Sequence, residues 1–275
     1  MPLQLISECV RNWRLEELDQ LIIDFNEYIA DAVQRAKIEF SKSYANIVLS
    51  TAGKSLLIMR ETLFLAAAGY PDGALSLSRN LYEQFVTLIF FEHEKQLEGF
   101  SLFVEDYYLD YEIKNINEHI SAHEWIGDEF DLTGLRNELK EVKDTAHSKI
   151  SGDYWWTGKP NFTRLAEYVL SNENDISMRR YIGLLHTSYK RACVSLHASC
   201  LGNILRLKDD AEPHIIDILH TNDRQYFPLW YATSSLIYIF GITCKTLEIN
   251  QKHFVSKLNE FALFYQTSFD RSINQ

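Results

Sequence analysis

Glycine and proline are scarce: 11 and 5 residues in a chain of 275. Sandwiches and barrels need many turns, so this scarcity excludes an all-β fold. Cysteine is also sparse. Cys9, Cys193, Cys200 and Cys244 are scattered with no CxxC, which excludes a disulfide scaffold and a cysteine-based zinc site and predicts a reducing, cytoplasmic setting. Positive charge is short as well. Lys+Arg number 27 against 38 Asp+Glu, a net charge of -11. Affinity for phosphate backbones comes from cation contacts, so a general DNA binder or a protein of anionic membranes is excluded. A local basic groove around Arg179, Arg180, Lys190 and Arg191 stays compatible with that balance. The N-terminal Met1-Pro2-Leu3-Gln4 leads into Glu8 and Arg11 with no apolar core segment, so no signal peptide is expected. The greasiest stretches are Ser55 to Ala68, interrupted by Arg60 and Glu61, and Leu229 to Cys244. The second runs about 16 residues against the ~20 that span a bilayer, so both are expected to be buried helices.

What is present is helical periodicity. With 46% hydrophobic and 24% charged residues the chain has the profile of a folded globular protein. From Trp13 to Phe40 apolar residues recur at Leu18, Ile22, Phe25, Ile29, Val33, Ala36 and Phe40, which makes one stripe on a helix. A second helix is expected over Tyr44 to Ala68. Gly69-Tyr70-Pro71-Asp72-Gly73 then stops it in a tight turn. A third helix, about Ala74 to Glu94, should close an antiparallel hairpin with the second. Further helices are expected over Phe100–Ile120, Leu135–His147, Thr163–Leu170, Ile176–Leu207, Phe227–Ile249 and Gln251–Phe264. His123 to Gly134 and the glycine- and tryptophan-bearing Ser151–Phe162 read as irregular. The expectation is all-α: a single-domain bundle of about seven to nine helices. Its segments are an N-terminal helix (1–43), a core bundle (44–207) and a C-terminal helical extension (208–275).

Four local patterns bear on chemistry. Gly53-Lys54-Ser55 matches the end of a phosphate-binding loop, but Val48 stands where that loop needs a glycine, and no strand precedes it. His119 and His123 share a helix face, yet no third ligand is evident. They read as surface histidines, with a metal enzyme as the weaker alternative; no metal or other cofactor is expected. Arg79 and Glu83, four apart on an apolar helix around Tyr82, can pair along one face; burying such a pair is costly unless more hydrogen bonds complete it. Tyr189, Cys193 and His197 fall at four-residue steps. His197 reads either as a core histidine or as an acid–base group, because imidazole titrates near neutrality.

The run Ala74-Leu75-Ser76-Leu77-Ser78-Arg79-Asn80-Leu81-Tyr82-Glu83, then Trp155-Trp156-Thr157-Gly158-Lys159, then Tyr189 with His197, resembles the bacterial domain-of-unknown-function family 5677. The family pattern is an Arg-x-x-x-Glu helix, a Trp-x-Gly loop and a Tyr-x-x-x-Ser-x-x-x-His helix. This chain departs from it at Cys193, where serine is expected. The resemblance covers roughly Tyr44 to Gly202. Such proteins are similar to the HEPN helical superfamily, many of whose members are RNases of toxin–antitoxin and antiviral defence systems. Their signature is an arginine followed about four to six residues later by histidine, usually across a dimer interface; Arg191 with His197 and Arg180 with His186 fit that spacing.

The resemblance therefore implies a metal-independent RNase. His197 would be acid or base, Arg79 or Arg191 would sit on the phosphate, and Glu83 would hold the arginine. Tyr82 and Tyr189 would line the substrate site, with Trp156 and Lys159 capping it. On one ideal helix a six-residue step leaves two side chains about 120° apart, so Arg79 from a neighbouring helix is the expected partner of His197. The expected partners are a second copy, RNA and a protein from the same operon, with no membrane. The alternative is a non-catalytic helical interaction protein that oligomerises or binds a partner or small ligand.

Overall fold

The computed structural model describes residues 13–36, 42–127, 130–196 and 226–273. These form nine α-helices and one 3-10 turn, with no strand among the described residues. In chain order they are α1 (Leu15–Ala36), α2 (Tyr44–Ala67), α3 (Pro71–Glu94), α4 (Phe100–Ile126), α5 (Thr133–Asp144), the 3-10 turn Trp155–Thr157, α6 (Phe162–Asn172), α7 (Ile176–Leu196), α8 (Tyr226–Thr246) and α9 (Lys252–Ile273). The all-α expectation holds. Contacts divide the chain into two compact units. The first comprises Met1–Glu39, Ile47–Leu88 and Asn174–Gln275; the second comprises Phe40–Asn46 and Ile89–Glu173. The units follow contacts rather than chain order, so α1 shares the first unit with α8 and α9.

Within the first unit, the stripe read from α1 is the buried face: Leu18, Ile22 and Phe25 are each nearly or fully enclosed. Phe25 stacks on Phe240 of α8 and meets Phe254 of α9 edge-on, 5.0 Å between centroids. Each phenyl group taken out of water contributes about 1.5–3 kcal/mol. Tyr265 of α9 is fully buried and donates its hydroxyl to the Trp13 carbonyl at 2.9 Å, which ties α9 to the start of α1. α2 and α3 form the expected hairpin. Gly69 takes the left-handed φ of 81° that ends α2, and Pro71 opens α3, where its missing N–H costs nothing. Ser55 of α2 donates to the Gln84 side chain of α3 across the pair.

α8 falls close to the expected Phe227–Ile249. At 21 residues it is long and apolar enough by composition to cross a membrane, but 83% of its apolar window is buried inside the unit. It is apolar on all sides because it is covered on all sides.

The second unit holds the first turn of α2, the end of α3, and α4 to α6. Trp156 is its centre, buried beside Phe91 (centroids 5.2 Å apart, nearly parallel) and edge-on to Tyr107 at 4.9 Å. Its buried carboxylates are all engaged. Asp106 accepts from the backbone N–H groups of His147 and Ser148, both at 2.9 Å. Asp110 accepts from the Trp155 indole at 2.8 Å and from Lys114 at 2.6 Å, and Glu94 accepts from the Tyr168 hydroxyl at 2.7 Å. Each has the hydrogen bonds that a buried charge needs.

A candidate site on helices α3, α7 and α8

In the first unit α3 presents Arg79, Tyr82 and Glu83 at helical steps of three and four, on one face. α7 presents His186, Tyr189 and Cys193 in the same way, and α8 adds Tyr231. The Arg79 Nε lies 3.3 Å from Glu83 Oε1, and both side chains are about one quarter exposed. Tyr189 donates its hydroxyl to the same carboxylate oxygen at 3.2 Å. The Arg79 guanidinium lies 5.5 Å from the Tyr189 ring centroid, and its Nη1 donates to Cys193 Sγ at 3.8 Å. Glu83 is therefore the hub: it neutralises the arginine and fixes the tyrosine. The further hydrogen bonds that a half-buried ion pair requires are supplied from α7.

Behind this pair lies a layer of buried aromatic and polar groups. Tyr82 is fully buried and its ring lies 5.6 Å from Tyr189, 5.8 Å from Tyr231 and 6.1 Å from His186. The His186 imidazole, 6% exposed, lies parallel to the Tyr189 ring at 6.0 Å. Tyr189 thus has the guanidinium and an imidazole as neighbours.

The electrostatics follow from burial and from Glu83. Desolvation works against the Arg79 charge, but Glu83, then Tyr189 and Cys193, more than offset it, and the guanidinium is held above the ordinary arginine range. Burial first, and Glu83 second, push the Tyr189 hydroxyl far above its usual value. Tyr82 and Tyr231 are raised chiefly by burial. The arrangement sets a guanidinium–carboxylate pair beside neutral hydroxyls and an imidazole, groups that can donate hydrogen bonds and move a proton.

Arg79, Tyr82, Glu83 and Tyr189, all expected at the site, meet in the first unit. Trp156 and Lys159 belong to the second. There Trp156 is a core residue, and Lys159 rests its ammonium 4.0 Å from the Tyr168 ring centroid. His197 lies outside the described residues. Arg191 lies on α7, with its side chain outside what is described. His186, noted in the sequence only for its spacing from Arg180, and Tyr231 are members that sequence reasoning did not place at this site. The signal for His186 was its three-residue step to Tyr189 on the stripe that continues to Cys193; Tyr231 had none, because α8 reads as uniformly apolar.

The other motifs resolve simply. Gly53-Lys54-Ser55 lies inside α2, so it forms no phosphate loop. His119 is exposed, and His123 stacks on Phe130 with centroids 4.1 Å apart. Among the described residues no group of three His, Cys, Asp or Glu side chains could hold a metal ion.

A helical protein organised around an arginine, a glutamate and a tyrosine from two core helices is the class that this geometry defines. The family model named Family of unknown function (DUF5677) matches residues 45–214, and the chain belongs to that family. The match takes in α3 and α7, which carry Arg79, Glu83 and Tyr189. No curated protein and no solved structure matches the chain.

Proposed function

We propose that the protein is a HEPN-like, metal-independent endoribonuclease of a bacterial defence or toxin–antitoxin system, acting in the cytoplasm. The observation that carries this reading is the meeting of Arg79, Glu83 and Tyr189 with a neighbouring imidazole, His186. Metal-free RNA cleavage needs a base to take the 2′-hydroxyl proton and a cation on the phosphate as negative charge develops. The 2′-oxygen attacks phosphorus, the bond to the 5′-oxygen breaks, and that oxygen leaves with a proton from an acid. The products are a 2′,3′-cyclic phosphate and a 5′-hydroxyl. Arg79 is the phosphate cation, kept in place by Glu83, and Tyr189 positions it. Arg191 is a second candidate cation. His197 and His186 are the candidate proton-transfer groups.

The test is incubation of purified protein with single-stranded RNA in EDTA, with the cyclic phosphate end as readout. The wild type is expected to cleave. Arg79→Ala should lose about a hundredfold or more of the rate, the loss typical of removing one group that stabilises developing charge. His197→Gln and His186→Gln show which imidazole carries the proton. Expression of wild type and His197→Ala in a bacterial host supplies the second readout, with toxicity expected of the wild type alone. Intact RNA together with equal growth of both strains rejects the nuclease.

Burial of His186 and neutralisation of Arg79 by Glu83 favour a second reading, a non-catalytic interaction protein whose polar cluster holds α3 to α7. Under that reading Arg79→Ala lowers the melting temperature, and wild-type protein leaves RNA uncut.

A further inference from the structure

Helix α2 is buried along one side, through Ile47, Val48, Ala52, Met59 and Leu63, and its exposed side sets two large apolar residues among Lys54, Arg60 and Glu61. Leu57 is 59% exposed and Phe64 73% exposed, one heptad apart on the same line. The two lie on one line with exposed charged residues on either side, so the face combines an apolar line with charge. A groove of about 630 Å³ runs from Phe64 towards Leu15 of α1, and its lining includes the charged Glu16, Asp19, Arg60 and Glu61.

The polar residues on this face are arranged in opposites. At 100° per residue, Lys54 and Glu61 fall on one side of Leu57, about 60° and 40° away, and Gly53 and Arg60 fall on the other side at about the same angles. Lys54 and Glu61 are two turns and about 10 Å apart along the axis, too far to pair within their own helix. Neither has an ion-pair partner among the described residues, whereas Arg60 is held by Asp19 at 2.7 Å. A Cβ placed on Gly53 would meet open space.

We propose that this face is the self-association surface of the protein: α2 packs antiparallel on α2 of a second copy, with the two-fold axis passing at Leu57. In that register a residue a given number of places before Leu57 lies level with the partner residue the same number after it. A two-fold axis perpendicular to the helices sets like edges against each other. Lys54, three before, meets the partner's Glu61, four after, on the same edge; the reciprocal pair forms by symmetry. On the other edge Arg60 passes over the partner's Gly53, where the missing side chain leaves room. Phe64 lies over the partner's Ser50, and Leu57 meets its own copy. Small residues at one end of the face thus match large ones at the other, and the charges are complementary only to the same face inverted. That self-complementarity is what selects a second copy as the occupant over an unrelated protein. The inference does not rest on the nuclease reading, and the RNA assay leaves it unaffected.

Light scattering behind size exclusion tests it. The wild type is expected at twice the 32.1 kDa chain mass. Glu61→Lys should weaken dimerisation at least tenfold, by setting lysine against lysine in both symmetry-related pairs. Adding Lys54→Glu to the same chain should restore it, and Leu57→Cys should give a dimer crosslink under mild oxidation. All three positions are exposed, so the variants should fold, and a thermal melt of each checks that. A wild type that stays monomeric at high micromolar concentration overturns the proposal. So does a dimer indifferent to Glu61→Lys, or one that the double reversal fails to restore.

Discussion

Gly152 is a residue whose identity the backbone constrains tightly. Its φ is 77°, and a Cβ there would stand 2.0 Å from the Pro160 carbonyl oxygen, a backbone atom of the same loop that cannot swing aside. Gly152→Ala is expected to cost at least about 2 kcal/mol, from left-handed strain and from displacement of the loop, read as a lower urea midpoint. Asp106 makes a comparable demand. Asp106→Ala leaves the His147 and Ser148 N–H groups without their acceptor, for an expected loss of about 2–4 kcal/mol in the same measurement. Neither effect could be read from the chain alone. The two glycines and one proline of Ser151–Phe162 announced an irregular segment, but not that Gly152 presses against Pro160, eight residues on. Local chemistry was legible at Arg79 and Glu83, because an i,i+4 pair is fixed by helix geometry alone. His186 was not, since its place beside Tyr82 depends on how α7 meets α3.

At the scale of elements, periodicity located the helices well where one face is buried, as in α1 and α2. It erred at ends. α4 runs to Ile126, past the expected stop near Ile120, and ends at Gly127 with φ 67°. A glycine in the left-handed region ends a helix that charged side chains otherwise tolerate well. α9 likewise continues to Ile273, beyond the apolar stripe that predicted it. α5 is the extreme case, an amphipathic helix with no buried residue. Helices so placed open locally without global unfolding. Amide hydrogen exchange should therefore run at least about a hundredfold faster across α5 than across α8, whose residues from Pro228 to Ile237 are all buried. Equal protection would mean that α5 is covered in solution.

Tyrosine burial sets the response of the whole molecule to alkali. Tyr168 is pushed up to about 12, first by donating to Glu94 and then by burial. Tyr44, Tyr82 and Tyr265 are raised further, chiefly by burial. Each folded value stands above the ordinary value of 10.0, so below about pH 10 the stabilisation is intact. As pH rises above that, the unfolded chain loses protons that the folded chain keeps, and stability falls. Absorbance at 295 nm should show the buried tyrosines titrating only together with the loss of helical ellipticity. A single titration near pH 10 with the helices intact would contradict this burial.

The chain alone determined the helical class, the α2–α3 hairpin and the arginine–glutamate pair, because each depends on residues within a few turns of one another. Only tertiary packing decided that α1 joins α8 and α9, that Trp156 is a core residue of its own unit, and that His186 and Tyr231 stand beside Tyr82. Those neighbours are set by the burial of faces contributed by distant segments, and periodicity says which face is buried but not against what.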